Sequence, residues 1–418
     1  MQDFRRGVRA TLPRQNAITR RSLLQSGAVA MALAASVRSG RADDAPGVTD
    51  AEIRIGQTMP YSGPASAYGV IGRTEAAYFK MVNENGGING RKINFISLDD
   101  AYSPPKTVEQ ARRLVEDEKV AFLFQTLGTS SNLAIRQYCN DNKVPQLFAS
   151  TGATGLSDPE RFPWTMRYNP GYRTEARIYA KHMLATKPQA RIAVLYQNDD
   201  LGKDYLNGLK DVLGAERVGM IVKDASYEVS EPSVDSQVVT LQASGADIFL
   251  IAATPKFAAQ AIRKSFDLGW DAARYVSYVS QSIASVMKPA GLEKAKGLIS
   301  ALYVIDINDP RWTDDPGVRE WRAFTARYLS PTEYAEGFAA YGFGAAATIV
   351  QVLRQCGSDL SRANILRQAA SIRDFHAPML MPGIMINTAP DNYNPIRQMQ
   401  LGAFNGASFE LLGELLSG

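Results

Sequence analysis

Histidine and cysteine are nearly absent from this sequence. Two of each occur in 418 residues, His182, His376, Cys139 and Cys356, and no two of them stand at a metal-ligand or dithiol spacing. Neither H-E-x-x-H nor C-x-x-C is present, which excludes the zinc and redox chemistry those motifs carry. The G-x-x-x-x-G-K-[ST] loop that cradles nucleotide phosphates is missing, as is the G-x-S-x-G elbow of an α/β hydrolase. The two cysteines can form at most one bridge, and Cys139, inside a helical pattern, is expected as a buried free thiol.

Long apolar runs are missing too. The run from Gly27 to Val37 is only about eleven residues, roughly half of what a bilayer span needs. It follows "TRRSLLQ" (Thr19 to Gln25) and precedes Gly40 and Ala42, small residues placed as a signal peptidase requires. Residues 1–42 therefore read as a cleaved export signal, with the mature chain beginning at Asp43. Arg20 and Arg21, with Leu23 and Leu24 behind them, resemble a twin-arginine signal, which implies periplasmic delivery of a folded chain. Gln25 departs from that pattern, which often has Lys there. The signal holds eight Arg and one Asp, a net +7, which leaves −3 of the formal +4 for the rest. No basic stripe remains there to recognise nucleic acid or an anionic membrane.

What the chain does have is alternation. β-rich runs at "EIRIG" (Glu52 to Gly56), "KINFISL" (Lys92 to Leu98), "AFLF" (Ala121 to Phe124) and "PQLFA" (Pro145 to Ala149) are separated by helical patterns. The order restarts with "RIAVLY" (Arg191 to Tyr196), "GMIVKDASY" and "DIFLIAA" (Asp247 to Ala253), with helices expected near 203–213, 234–243 and 256–268. Strands joined through helices imply right-handed crossovers and parallel sheets covered on both faces. Two such units predict an α/β chain of two lobes. "DINDPRWTDDPG" reads as a surface segment.

Ligands of open parallel sheets lie beyond the carboxyl ends of the strands. "QTLGTSSNLA" (Gln125 to Ala134) occupies such a place, with a helical pattern resuming at Asn132. Its hydroxyls and helix N–H groups suit an anion such as a carboxylate, although Ser, Thr and Asn are also what any helix start prefers. Asp99 and Asp100, at another strand end, have no visible partner for acid/base chemistry and read as structural or cleft-lining. "GFGAAA" (Gly342 to Ala347) superficially matches a dinucleotide fingerprint, but it follows a helical pattern and reads as helix packing.

"IRIGQTMPYSGPASAYG", "NENGGINGRKINFISLDDAYSP", "GTSS", "YQNDDLGKDY" and "GADIFLIAA" occur in that order, and from Ile53 onward the chain resembles the periplasmic branched-chain amino-acid-binding proteins, solute receptors of ABC importers. The resemblance implies a type I periplasmic binding protein fold, two Rossmann-like lobes with parallel central sheets joined by a three-crossing hinge. Mapped onto this chain, lobe 1 is 43–167 with 307–382 and lobe 2 is 168–306 with 383–418. It further implies a monomer without cofactor or enzymatic activity, working with an inner-membrane permease and its ATPase subunits.

By the same resemblance the ligand carboxylate falls to Thr129 and Ser130 and to the next loop, Ser150, Thr151 and Gly152. Tyr68 matches an aromatic contact, and Leu201 and Thr254 fall on second-lobe contact positions. Gly152 stands where relatives carry Thr. The acid that holds a ligand ammonium should lie near Val279 or Ser280, yet no Asp or Glu occurs between Asp271 and Glu293. A buried ammonium without a carboxylate is costly. The expected ligand is therefore an aromatic or branched acid lacking the α-ammonium, with Tyr275 and Tyr278 as further candidates for its wall. An acid from elsewhere in the chain would restore an amino acid as ligand. A sensor that presents its ligand to a membrane receptor is the alternative role; an exported hydrolase is disfavoured by the missing elbow.

Overall fold

A computed structural model of the protein describes residues 45–307 and 309–418; the expected signal, 1–42, lies outside them. Ala45–Gly418 forms one compact unit. In its first part, β1 (Glu52–Met59), α1 (Gly69–Glu84), β2 (Lys92–Asp99), α2 (Pro104–Arg112), β3 (Phe122–Phe124), α3 (Thr129–Asp141) and β4 (Gln146–Ala149) alternate as the sequence pattern predicts, and a short strand the pattern does not mark, β5 (Thr165–Arg167), follows with no α-helix between. The strands form one parallel sheet in the order β2-β1-β3-β4-β5. Ile53 and Ile55 of β1 are fully buried, as a central strand covered on both faces requires.

The chain then crosses at 168–171 into α4 (Tyr172–Thr186), β6 (Ile192–Gln197), α5 (Asp200–Arg217), β7 (Ile221–Tyr227), α6 (Asp235–Gln242), β8 (Ile248–Ala252), α7 (Pro255–Asp267), β9 (Ala273–Val276) and β10 (Ile299–Leu302). β8, "IFLIA", is buried at every position, the continuous apolar run of an interior parallel strand. A second crossing, 303–307, leads to α8 (Pro316–Tyr328), α9 (Gly337–Gln355) and α10 (Arg362–Ala369). These helices belong with the first sheet: Phe343 of α9 meets Tyr78 of α1 edge-on at 5.1 Å and Phe324 of α8 at 4.8 Å. "GFGAAA" thus lies inside a packed helix and follows no strand.

The third crossing brings the chain back to β11 (Gln398–Phe404) and β12 (Phe409–Ser417). The second sheet runs β12-β11-β10-β9-β8-β6-β7, parallel through its centre as expected and antiparallel at one edge. β11 pairs antiparallel with β10 and with β12. A tight turn at Asn405–Ser408 joins the two last strands, and only antiparallel neighbours can be joined so briefly. Cys139 and Cys356 are both buried and unbridged, with burial pushing each thiol up to about 12. Among the described residues, no helix is long and apolar enough to cross a membrane.

Candidate ligand-binding site

The carboxyl ends of the parallel strands of both sheets converge on one cavity. Loops after β1, β3 and β4 supply Tyr68, Leu127, Gly128 and Ser150; loops after β6, β8 and β9 supply Leu201, Thr254, Tyr278 and Gln281. The crossings and the start of α9 close it with Tyr303, Asp306 and Phe338. About 90 Å³ is open to the centre of a water-sized sphere, room for several waters or one small molecule.

The two halves touch across this space. Tyr68 donates its hydroxyl to the Val279 carbonyl (2.8 Å), Ser130 donates to the Asp199 carboxylate (3.1 Å), and the Thr154 N–H donates to Asp204 (2.7 Å). At the rim, the Glu336 carboxylate accepts from the Ser282 and Ser285 hydroxyls at 2.8 and 2.6 Å. This is a closed arrangement.

Of the residues singled out in the sequence, Tyr68, Ser150, Leu201, Thr254 and Tyr278 line the cavity. The others stand behind it for reasons the structure makes plain. Thr129 opens α3 itself, so the helix begins three residues before the expected Asn132. Its cap, Gly128, holds φ 106°, and a Cβ there would press on the Tyr102 ring at 2.8 Å. The Thr129 and Thr151 hydroxyls pair at 2.8 Å, while Ser130 is engaged by Asp199. Gly152 is wedged where a side chain would overlap the Pro170 carbonyl and the Tyr278 hydroxyl, and its own carbonyl accepts from Arg167 Nη1 at 2.5 Å. Ser280 donates to the Ala253 carbonyl (2.6 Å), facing the end of β8. Tyr275 is removed altogether: it packs on Tyr179 and bonds His182 Nδ1 at 2.8 Å within the second half.

Asp99 and Asp100 are structural. Burial alone would raise Asp99, but bonds from the Ser62 hydroxyl and the N–H groups of Ala101 and Ser62 hold it at about 2. Asp100, raised by burial, accepts from Thr107 (2.8 Å) and the Tyr102 N–H (3.0 Å). "DINDPRWTDDPG" is likewise more than surface, since Asp306 lines the cavity and Asp309 is buried.

The wall is apolar and phenolic. Burial pushes Tyr68, Tyr102, Tyr278, Tyr303 and Tyr341 well above the usual tyrosine value, so each stays protonated and can donate. Ser150 bonds the Tyr341 hydroxyl at 3.0 Å, and that single phenol proton has Asn169 Oδ1 at 2.7 Å and Gln125 Oε1 at 2.9 Å to choose between. No Lys, Arg or His stands among the described lining residues, and the one carboxylate there, Asp306, accepts from the Phe409 N–H at 3.3 Å. No described cluster of three or more His, Cys, Asp or Glu could hold a metal. The chemistry on offer is hydrogen bonding and apolar contact. Sequence reading missed Tyr102, Tyr172, Tyr303, Asp306 and Tyr341. Tyr102 follows a strand end and was within reach of that signal; the other four lie on crossings and α-helical starts that carry none.

Comparison with known proteins agrees with this architecture. A family model described as periplasmic binding protein matches residues 52–407. The Leu/Ile/Val-binding protein homolog 1 of Brucella abortus is 26% identical over 318 residues, covering 74% of this chain and 80% of that one. Among solved structures, a branched-chain amino acid ABC transporter protein from Thermus thermophilus with bound valine superposes with a TM-score of 0.78 at 15% identity, covering 89% of this chain and 98% of its own. A fatty acid ABC transporter substrate-binding protein from Thermomonospora curvata gives 0.72 at 21% identity, with 89% and 94% covered. At those identities the two superpositions speak for the fold.

Proposed function

Because the chain belongs to the periplasmic binding protein family and has its type I fold, we propose that it is the solute receptor of an ABC importer, closing on a small aromatic or branched carboxylate that lacks an α-ammonium. Export would use the Arg20–Arg21 signal with cleavage after Ala42. Lobe 1 (43–167 with 307–382) and lobe 2 (168–306 with 383–418) of a monomer would present the closed form to an inner-membrane permease.

One observation carries the choice of ligand. The turn after β9, where a cation-binding acid is expected, offers no charge: Val279 O is taken by Tyr68, Ser280 by Ala253 O, and Gln281 is neutral. On the facing wall, Gly128 and Ser150 line the cavity where α3 begins. The first-turn N–H groups of α3 add open donors and a partial positive charge. An anion with an apolar body is matched by both walls. The fatty acid of the Thermomonospora curvata protein's name is likewise an acid without an α-ammonium.

A second reading, an α-amino acid, is favoured by Asp306, an acid from the crossing rather than the loop. Thermal unfolding of the ligand-stripped chain separates the two. Isocaproate and hydrocinnamate should raise the midpoint, a ligand at a hundred times its dissociation constant adding about 2.7 kcal/mol. Leucine and phenylalanine should not. Stabilisation by the amino acids, abolished in Asp306→Asn, would establish the second reading instead.

A further inference from the structure

Gln281 closes the short turn after β9 and lines the cavity, and its side-chain oxygen Oε1 is shielded from solvent without a hydrogen-bond partner. Its neighbours differ in this respect. The Val279 carbonyl accepts from Tyr68, the Ala253 carbonyl from Ser280, and the Ser282 hydroxyl both donates to Glu336 and accepts from the Ser285 N–H at 3.0 Å. Val279 and Ile283, two residues to either side in the chain, line the same cavity and bring no side-chain donor. A shielded acceptor in such a wall is unfavourable unless the occupant supplies a proton.

The donor that suits it is a neutral one. Gln281 carries no charge to offset an ammonium, and the turn 278–282 contains no acid. A hydroxyl needs no counter-charge, and its hydrogen bond satisfies Oε1 directly. We infer that Gln281 is a specificity-determining residue that accepts a hydrogen bond from a hydroxyl on the ligand, so that the preferred ligands are hydroxylated carboxylic acids. This rests on the carboxylate reading above and narrows it.

Calorimetric titration of the ligand-stripped chain with three probes of one skeleton tests it: hydrocinnamate, phenyllactate and phloretate, the last two carrying a hydroxyl at the α-carbon and on the ring. At least one hydroxylated probe should bind about tenfold more tightly than hydrocinnamate, the worth of one neutral hydrogen bond plus a rescued acceptor. In Gln281→Met, which keeps the length of the side chain, that ratio should fall to about one while hydrocinnamate binds at least as well as before. The ligand-free unfolding midpoint verifies the fold of the variant, and Gln281→Leu repeats the test if Met disturbs it. Equal affinities in the unaltered chain, or a hydroxyl advantage that survives both substitutions, would overturn the inference and leave the carboxylate reading standing. Tight binding of phenylalanine with none of the three acids would overturn both, as would binding of no probe at all.

Discussion

On the cavity wall built by β1–β5, hydroxyls come in pairs: Thr129 with Thr151, Ser150 with Tyr341, Thr107 with Ser131 behind them at 2.8 Å. On the wall built by β6–β12, Ser280 is committed to the Ala253 carbonyl and Ser282 to Glu336, Thr254 pairs with the Tyr227 hydroxyl at 3.2 Å, and Leu201, Val279 and Ile283 fill the space between. At the first wall the start of α3, capped by the cavity-lining Gly128, brings N–H groups and a partial positive charge. The first wall can therefore meet a negative charge. The second offers a shape and, at Gln281, one neutral acceptor.

The sharpest way to break this comparison is at the seam between the walls. Gly152→Ala would drive a methyl group into the Pro170 carbonyl and the Tyr278 hydroxyl, forcing the two halves apart where they meet. The overpacking should cost about 3 kcal/mol of stability, read by denaturant unfolding, together with loss of hydrocinnamate binding. Unchanged stability would mean that the seam yields freely.

Ser150→Ala tests the first wall. It removes a hydroxyl that lines the cavity, so affinity for hydrocinnamate should fall by about 2 kcal/mol, the range of a hydrogen bond to a charged group. The neutral amide of the same skeleton should lose less. Equal losses for acid and amide would show that this wall does not read charge.

Per pH unit, the smallest effect concerns what lies beneath the walls. Each half buries one glutamate: Glu75 accepts from Gln57 Nε2 at 2.5 Å, and Glu175 accepts from Tyr179, Tyr205 and the Tyr278 N–H. Burial raises both; for Glu175 it outweighs those bonds and takes the carboxyl from 4.5 up to about 8. The folded chain then holds a proton that the unfolded chain has released. The contribution of this group to stability is fully present below 4.5 and is lost as pH rises toward 8, at about 1.4 kcal/mol per unit. Unfolding midpoints across that window should fall, and Glu175→Gln should flatten the slope. A midpoint that rises instead would contradict the burial account.

Much of the fold was legible because its signals are local. The switch between strand and helix periods located β1 to β4 and β6 to β8, and the family resemblance pointed to Tyr68, Ser150, Leu201 and Thr254. The β11–β12 hairpin was missed although Asn405-Gly406, the dipeptide of a tight turn, marks it. Whether Thr129 faces the cavity or stands behind it depends on the rotation of α3 about its cap, which composition does not encode. Tyr303, Asp306 and Tyr341 reach the site from crossings and a helix whose paths are set only by the packing of the whole.

Direct calorimetric comparison of isocaproate with leucine, one skeleton with and without the ammonium, tests the central claim. The account predicts that isocaproate binds more tightly by about tenfold or more, because neither wall pairs a buried ammonium at the turn after β9. Leucine binding as well as or better than isocaproate would contradict it.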